Sequence, residues 1–155
     1  MTDVADELAP LVLRIDLADD PESCYRRFTS GFGHWWPALT HSLSRDPGTR
    51  CALEPHAGGR VFETAPGGAE HLWGTVTAAE PGRSLRFTWH PGRGPDSAQW
   101  VELRFEGAGD GCRVTLVHGG WEALGELAPI LRREYLPGWQ HVFGERFARY
   151  AGGRH

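Results

Sequence analysis

The sequence contains no lysine: all 16 basic residues are arginine, set against 20 aspartates and glutamates. The resulting net charge of −4 excludes a nucleic-acid binder that depends on phosphate neutralisation. Together with abundant Ala, Gly and Pro, the arginine bias reads as the imprint of a GC-rich coding genome rather than of function. Cysteine is also scarce. Cys24, Cys51 and Cys112 form no CxxC pair, and an odd, widely spaced trio does not make a secreted disulfide framework. No apolar run approaches the ~20 residues that cross a bilayer. Met1 to Pro10 is acidic and lacks the basic and apolar regions of a signal peptide. The expectation is a cytoplasmic protein with reduced thiols, no membrane partner and no nucleic-acid partner.

Catalytic signatures are missing too. His34, His41, His56, His71, His90, His141 and His155 show no HxH or HExxH spacing, so no metal is expected. Gly92-Arg93-Gly94 is flanked by prolines and opens no helix, so it is not a phosphate loop. No GxSxG is present, and Cys24 falls on the apolar face of a helix. No cofactor is expected.

What is present is an ordinary globular composition, 40% apolar and 23% charged over 155 residues. That is enough for one domain, placed at 10–150, with 1–9 and 151–155 expected as flexible ends. Leu11, Leu13, Ile15 and Leu17 alternate with Val12, Arg14 and Asp16, a period of two that predicts a half-buried strand. Asp19-Asp20-Pro21 then starts a short helix over about 21–30, with apolar Cys24, Tyr25 and Phe28. Gly31 and Gly33 break it, and Phe32, Trp35 and Trp36 precede Pro37. Strands are predicted near 49–55, 59–65, 70–80, 83–90, 97–106 and 111–118, separated by Gly- and Pro-rich turns. Their parity puts Leu85, Phe87 and Trp89, then Val101, Leu103 and Phe105, then Cys112, Val114, Leu116 and His118 on an apolar face. Trp73 and Trp100 fall on the polar parity and are expected at the surface.

The last thirty residues read as a helix, with Tyr135, Trp139, Phe143, Phe147 and Tyr150 in one stripe. Pro137-Gly138 is expected to bend or break it. The predicted class is α+β: a curved antiparallel sheet wrapped around a long C-terminal helix, with two short helices after the first strand.

Six motifs in this order resemble the START/Bet v 1-like superfamily with its helix-grip fold. They are Phe32-x-x-Trp35-Trp36-Pro37, Gly58-Gly59-Arg60-x-x-Glu63, Trp73-Gly74-x-Val76 with Pro81 following, Leu85-x-Phe87-x-Trp89, Arg113-Val114-Thr115-Leu116-x-His118-x-x-Trp121, and Gly138-Trp139. Within it the chain most resembles the branch named after the activator of Hsp90 ATPase homologue. A narrower similarity, carried by Phe28, Gly31-Phe32, Trp35-Trp36-Pro37, Glu70-His71 and the strand from Arg113 to His118, is to the self-sacrifice resistance proteins of enediyne producers. Those proteins bind the enediyne and are cleaved by the radical it forms. The resemblance implies a small hydrophobic or aromatic ligand held between sheet and C-terminal helix by a monomer or weak homodimer. It leaves open a cofactor-independent polyketide cyclase or aromatase, and an Hsp90 co-chaperone-like interaction role.

Candidate ligand-binding residues are Trp36, Glu63, Phe87, Trp89, Val101, His118, Tyr135 and Trp139. Trp89 and Trp139 either pack the core or line a cavity of roughly 300–1,000 Å³. Trp35 and Trp36 either form a lid or anchor the helix pair to the sheet. His118 is either a satisfied core histidine or a hydrogen-bonding and proton-transfer group that, with Tyr135, would carry any catalysis. Glu63 either faces inward or pairs with Arg60 at the surface.

Overall fold

The computed structural model describes residues 8–152; the expected flexible ends, 1–9 and 151–155, fall largely outside them. At the margins, Ala9 O accepts a hydrogen bond from Arg132 Nε at 2.6 Å and Ala151 is buried. Strand β1 (Leu11–Leu17) leads into α1 (Pro21–Thr29) and α2 (Phe32–Trp35). Six strands follow: β2 (Arg50–Leu53), β3 (Arg60–Thr64), β4 (Glu70–Glu80), β5 (Ser84–Trp89), β6 (Gln99–Ala108) and β7 (Gly111–Gly119). A 3₁₀ segment (Trp121–Leu127) then delivers the chain to the C-terminal helix α3 (Ala128–His141).

The seven strands form one antiparallel sheet in the order β1-β7-β6-β5-β4-β3-β2. It curves around the C-terminal helix in the helix-grip manner. The local causes are those visible in the sequence. Asp20 caps α1 by accepting from Ser23 N at 2.8 Å, with Pro21 in the first turn. The alternating parities of β5, β6 and β7 put Leu85, Phe87, Trp89, Val101, Leu103, Phe105, Val114, Leu116 and His118 inside.

Trp73 departs from its parity. Val61 faces Gly74 across the sheet, but Phe62 faces Leu72, leaving Trp73 as the extra residue of a β-bulge. The bulge reverses which face β4 presents, so Trp73 enters the core at 1% exposure instead of lying on the surface. Gly74 makes this possible, because a Cβ there would lie 1.7 Å from the Thr88 carbonyl oxygen. Trp100 does stay on the outer face, half-buried beneath the Arg86 guanidinium at 4.5 Å.

The helix does not break at Pro137 either: α3 runs through it to His141. Arg133, whose carbonyl loses its partner to the proline, is exposed, so water can satisfy that oxygen and the helix continues. The irregularity comes later, as a π-helical stretch over Val142–Phe147. Trp139, Phe143 and Phe147 keep the buried stripe, whereas Tyr150, beyond the wider winding, is 42% exposed.

The core divides into two aromatic regions. At one end Phe28 is surrounded by Phe32, Trp35, Phe105 and Phe147 at ring separations of 5.0–6.3 Å, mostly edge to face. This group is sealed by α1 and α2. Trp35 anchors it, donating its indole N–H to the Arg27 and Phe28 carbonyls. The second region, built on Trp36, Trp73, Trp89 and Trp139, opens outward.

Candidate functional site

A pocket of about 210 Å³ lies between the 37–49 loop, the ends of β4 and β5, and the middle of α3. Trp36, Trp73, Trp89 and Trp139 form its wall, with ring centroids 5.3–6.0 Å apart. Each indole N–H is already used. Trp36 donates to the His41 carbonyl at 2.7 Å and Trp73 to Glu63 Oε1 at 2.9 Å. Trp89 donates to the Tyr135 hydroxyl at 3.1 Å and Trp139 to His118 Nδ1 at 2.9 Å. The rings are therefore fixed in orientation, and what they offer a guest is apolar π surface. Polar groups enter only at the rim, from Thr40, His41, Ser42, Arg45 and Tyr135.

Of the residues singled out in the sequence, Trp36, Trp89, Tyr135 and Trp139 come together around this pocket, and the other four stand behind it. Phe87 and Val101 face each other across β5 and β6, at most 1% exposed, as the floor beneath Trp89. His118 is fully buried. Its Nδ1 accepts from Trp139, which leaves the proton on Nε2, 3.3 Å from Gln99 Oε1, while its ring packs 4.1 Å from Trp121. Burial pushes its pKa down to about 3, so the imidazole is neutral and both nitrogens are engaged.

Glu63 faces inward, and Arg60 pairs instead with Glu54 at 3.1 Å and Glu70 at 3.3 Å. Burial works against its ionisation, but donors from Ser44, Leu43 and Trp73 outweigh that and hold its pKa below the usual value. Trp36 is both anchor and wall, stacked on Phe32 at 5.1 Å while facing the pocket. Burial raises the Tyr135 phenol, keeping it a neutral hydroxyl, and pushes Cys24 and Cys51 up to about 12, which makes them inert thiols. Among the described residues no cluster of His, Cys, Asp and Glu could hold a metal ion. None of their helices is long and apolar enough to cross a membrane.

Most of the other lining residues were not singled out in the sequence, and three of them show why. Trp73 was hidden by the bulge, and His41 and Arg45 lie in an aperiodic loop that carries no signal of direction.

The family model described as Activator of Hsp90 ATPase homolog 1-like protein matches residues 20–152, and the chain belongs to that family. Comparison with curated proteins found no match. Among solved structures, the chain is similar to the self-sacrificing resistance protein CalC from Micromonospora echinospora, with 20% identity, 93% of this chain and 95% of that one covered, and a TM-score of 0.68. It is also similar to an anthrahydroquino-γ-pyrone synthase, Txn09, with 28% identity, 94% and 98% coverage and a TM-score of 0.61. A protein from Arthrobacter aurescens aligns at 15% identity, 97% and 89% coverage and a TM-score of 0.63. The fold is thus one that a resistance protein and a biosynthetic synthase both use.

Proposed function

We propose that this member of the family binds a small planar, aromatic metabolite stoichiometrically at the tryptophan wall, in natural-product self-resistance or biosynthesis. The observation that carries the reading is the wall itself: four indoles whose N–H groups are satisfied within the protein, so that what lines the pocket is apolar ring surface. Such a surface recognises shape and π character. Similarity to a resistance protein and to a synthase of a polycyclic aromatic product supports the ligand class.

Similarity to the synthase also favours a second reading, a cofactor-independent cyclase. The Tyr135 hydroxyl at the rim is then the proton donor nearest the ligand. His118 is a poor candidate for that work, being neutral, enclosed and hydrogen-bonded at both nitrogens.

The two readings part in one experiment. Titration with a neutral polycyclic aromatic such as N-phenylnaphthylamine should quench tryptophan emission saturably, at one ligand per chain. Quenching without saturation, or none, overturns both. Turnover of an anthraquinone-type polyketide precursor that Tyr135→Phe abolishes would move the assignment to the enzyme.

A further inference from the structure

The 37–49 loop at the pocket mouth has little apolar anchorage, with Leu39 and Leu43 56% and 45% exposed. It is held instead by hydrogen bonds to a buried carboxylate. Glu63 accepts the N–H of Leu43 at 2.6 Å and of Ser44 at 3.0 Å, as well as the Ser44 hydroxyl. Ser42 closes the turn, its hydroxyl accepting from Arg45 N at 2.9 Å and donating to the Ala38 carbonyl at 2.5 Å.

Between these clamps Arg45 takes a φ of 46°, the one positive value outside glycine among the described residues. A left-handed backbone costs free energy for any residue with a Cβ and persists only where the surroundings impose it. The strain places an arginine at the rim of an aromatic pocket. There it forms no ion pair with any carboxylate among the described residues. The groups beside it are His41, on the rim, and His141 of α3, whose ring lies 5.5 Å from that of His41 and whose Nδ1 is 3.1 Å from Glu145. No acidic residue lines the pocket. At about 210 Å³ it is smaller than the ~300 Å³ at which sites for drug-sized ligands begin. A fused-ring guest seated on the tryptophans therefore projects past the mouth, into reach of the rim.

We infer that the pocket selects planar aromatic ligands bearing an acidic substituent, a carboxylate, sulfonate or acidic phenol, which Arg45 binds at the mouth while Glu63 serves as the residue that positions it. This rests on the reading of the tryptophan wall as a ligand site. Arginine suits the task because its guanidinium stays charged and offers paired donors to an oxyanion.

Two fluorescent probes with the same ring system, anilinonaphthalene sulfonate and neutral N-phenylnaphthylamine, test this directly. The sulfonate should bind about tenfold more tightly at low salt, the scale of one charge-assisted hydrogen bond, with the margin shrinking as salt rises. Arg45→Ala should bring the ratio close to one, mainly by weakening the sulfonate, and Arg45→Lys should keep part of the margin. Glu63→Gln should lower the ratio while the neutral probe still binds; a merely structural Glu63 would weaken both probes alike. Arg86→Ala, on the outer face of the sheet, should change nothing. If the neutral probe saturates but the sulfonate binds no better, or if Arg45→Ala leaves the ratio intact, the inference is overturned and the pocket stands. If neither probe saturates, the pocket reading itself fails.

Discussion

The two aromatic regions of the core are made of the same kind of residue and do opposite things. Around Phe28 every ring meets another ring or a backbone carbonyl, and α1 and α2 close the group off from water. Around Trp89 the rings also touch one another, but their N–H groups are taken up by a loop carbonyl, a glutamate, a tyrosine and a histidine, and one side lines a pocket. Aromatic content alone is therefore a poor guide to a binding site. What separates core from site is whether the π surfaces have partners, and that depends on which elements close over them.

The comparison can be broken most forcefully in the sealed region. Phe28→Ala should cost about 3–5 kcal/mol, because it removes a fully enclosed ring from an unyielding cluster. Denaturant unfolding would measure it. A loss near that of an open-wall substitution such as Trp89→Phe would erase the distinction drawn between the regions.

His118 sits between the extremes, buried like the first region and hydrogen-bonded like the second. His118→Leu should destabilise the protein by about 1–3 kcal/mol by leaving the Trp139 N–H and the Gln99 carbonyl unpaired. The substitution should also flatten the acid limb of stability. The folded imidazole resists protonation down to about 3, whereas the unfolded chain takes up that proton below about 6.5. Its contribution is complete above 6.5 and is lost progressively as pH falls toward 3. Glu63 adds a second loss at lower pH: its folded pKa lies below the ordinary 4.5, so its contribution is full above 4.5 and disappears as pH drops through the folded value. Melting temperatures between pH 7 and pH 4 should therefore fall more steeply for the wild type than for His118→Leu; parallel curves would show that His118 does not carry the effect.

The smallest effect belongs to the open wall. Tyr135→Phe leaves the Trp89 N–H without its acceptor at a half-buried position, where water can substitute. A stability loss of about 0.5–1.5 kcal/mol is expected, with a few-fold change at most in neutral-probe affinity. A larger loss of affinity would mean that the hydroxyl itself contacts the ligand.

Much of this architecture was legible from the residues. Strand parity in β5, β6 and β7 placed Trp89 and His118 inside, and Asp20-Pro21 marked the start of α1, because alternation and capping are local rules that the chain obeys wherever the core lies on one side. The helix stripe placed Trp139 facing the sheet for the same reason. Other features were out of reach of local rules. Alternation alone put Trp73 on the surface, and only the pairing of β3 with β4, which inserts one residue, turned it inward. The survival of α3 across Pro137 depended on which carbonyl faced water. Glu63 gave no sign of what it holds, since its partners Leu43 and Ser44 are about twenty residues away in a loop without periodicity. By itself the sequence determined the sheet, the helices and, Trp73 and Tyr150 apart, which aromatic rings point inward, since those follow from neighbours a few residues apart. Only the tertiary structure decided which of those rings would be covered and which left open, because that turns on contacts between segments distant along the chain.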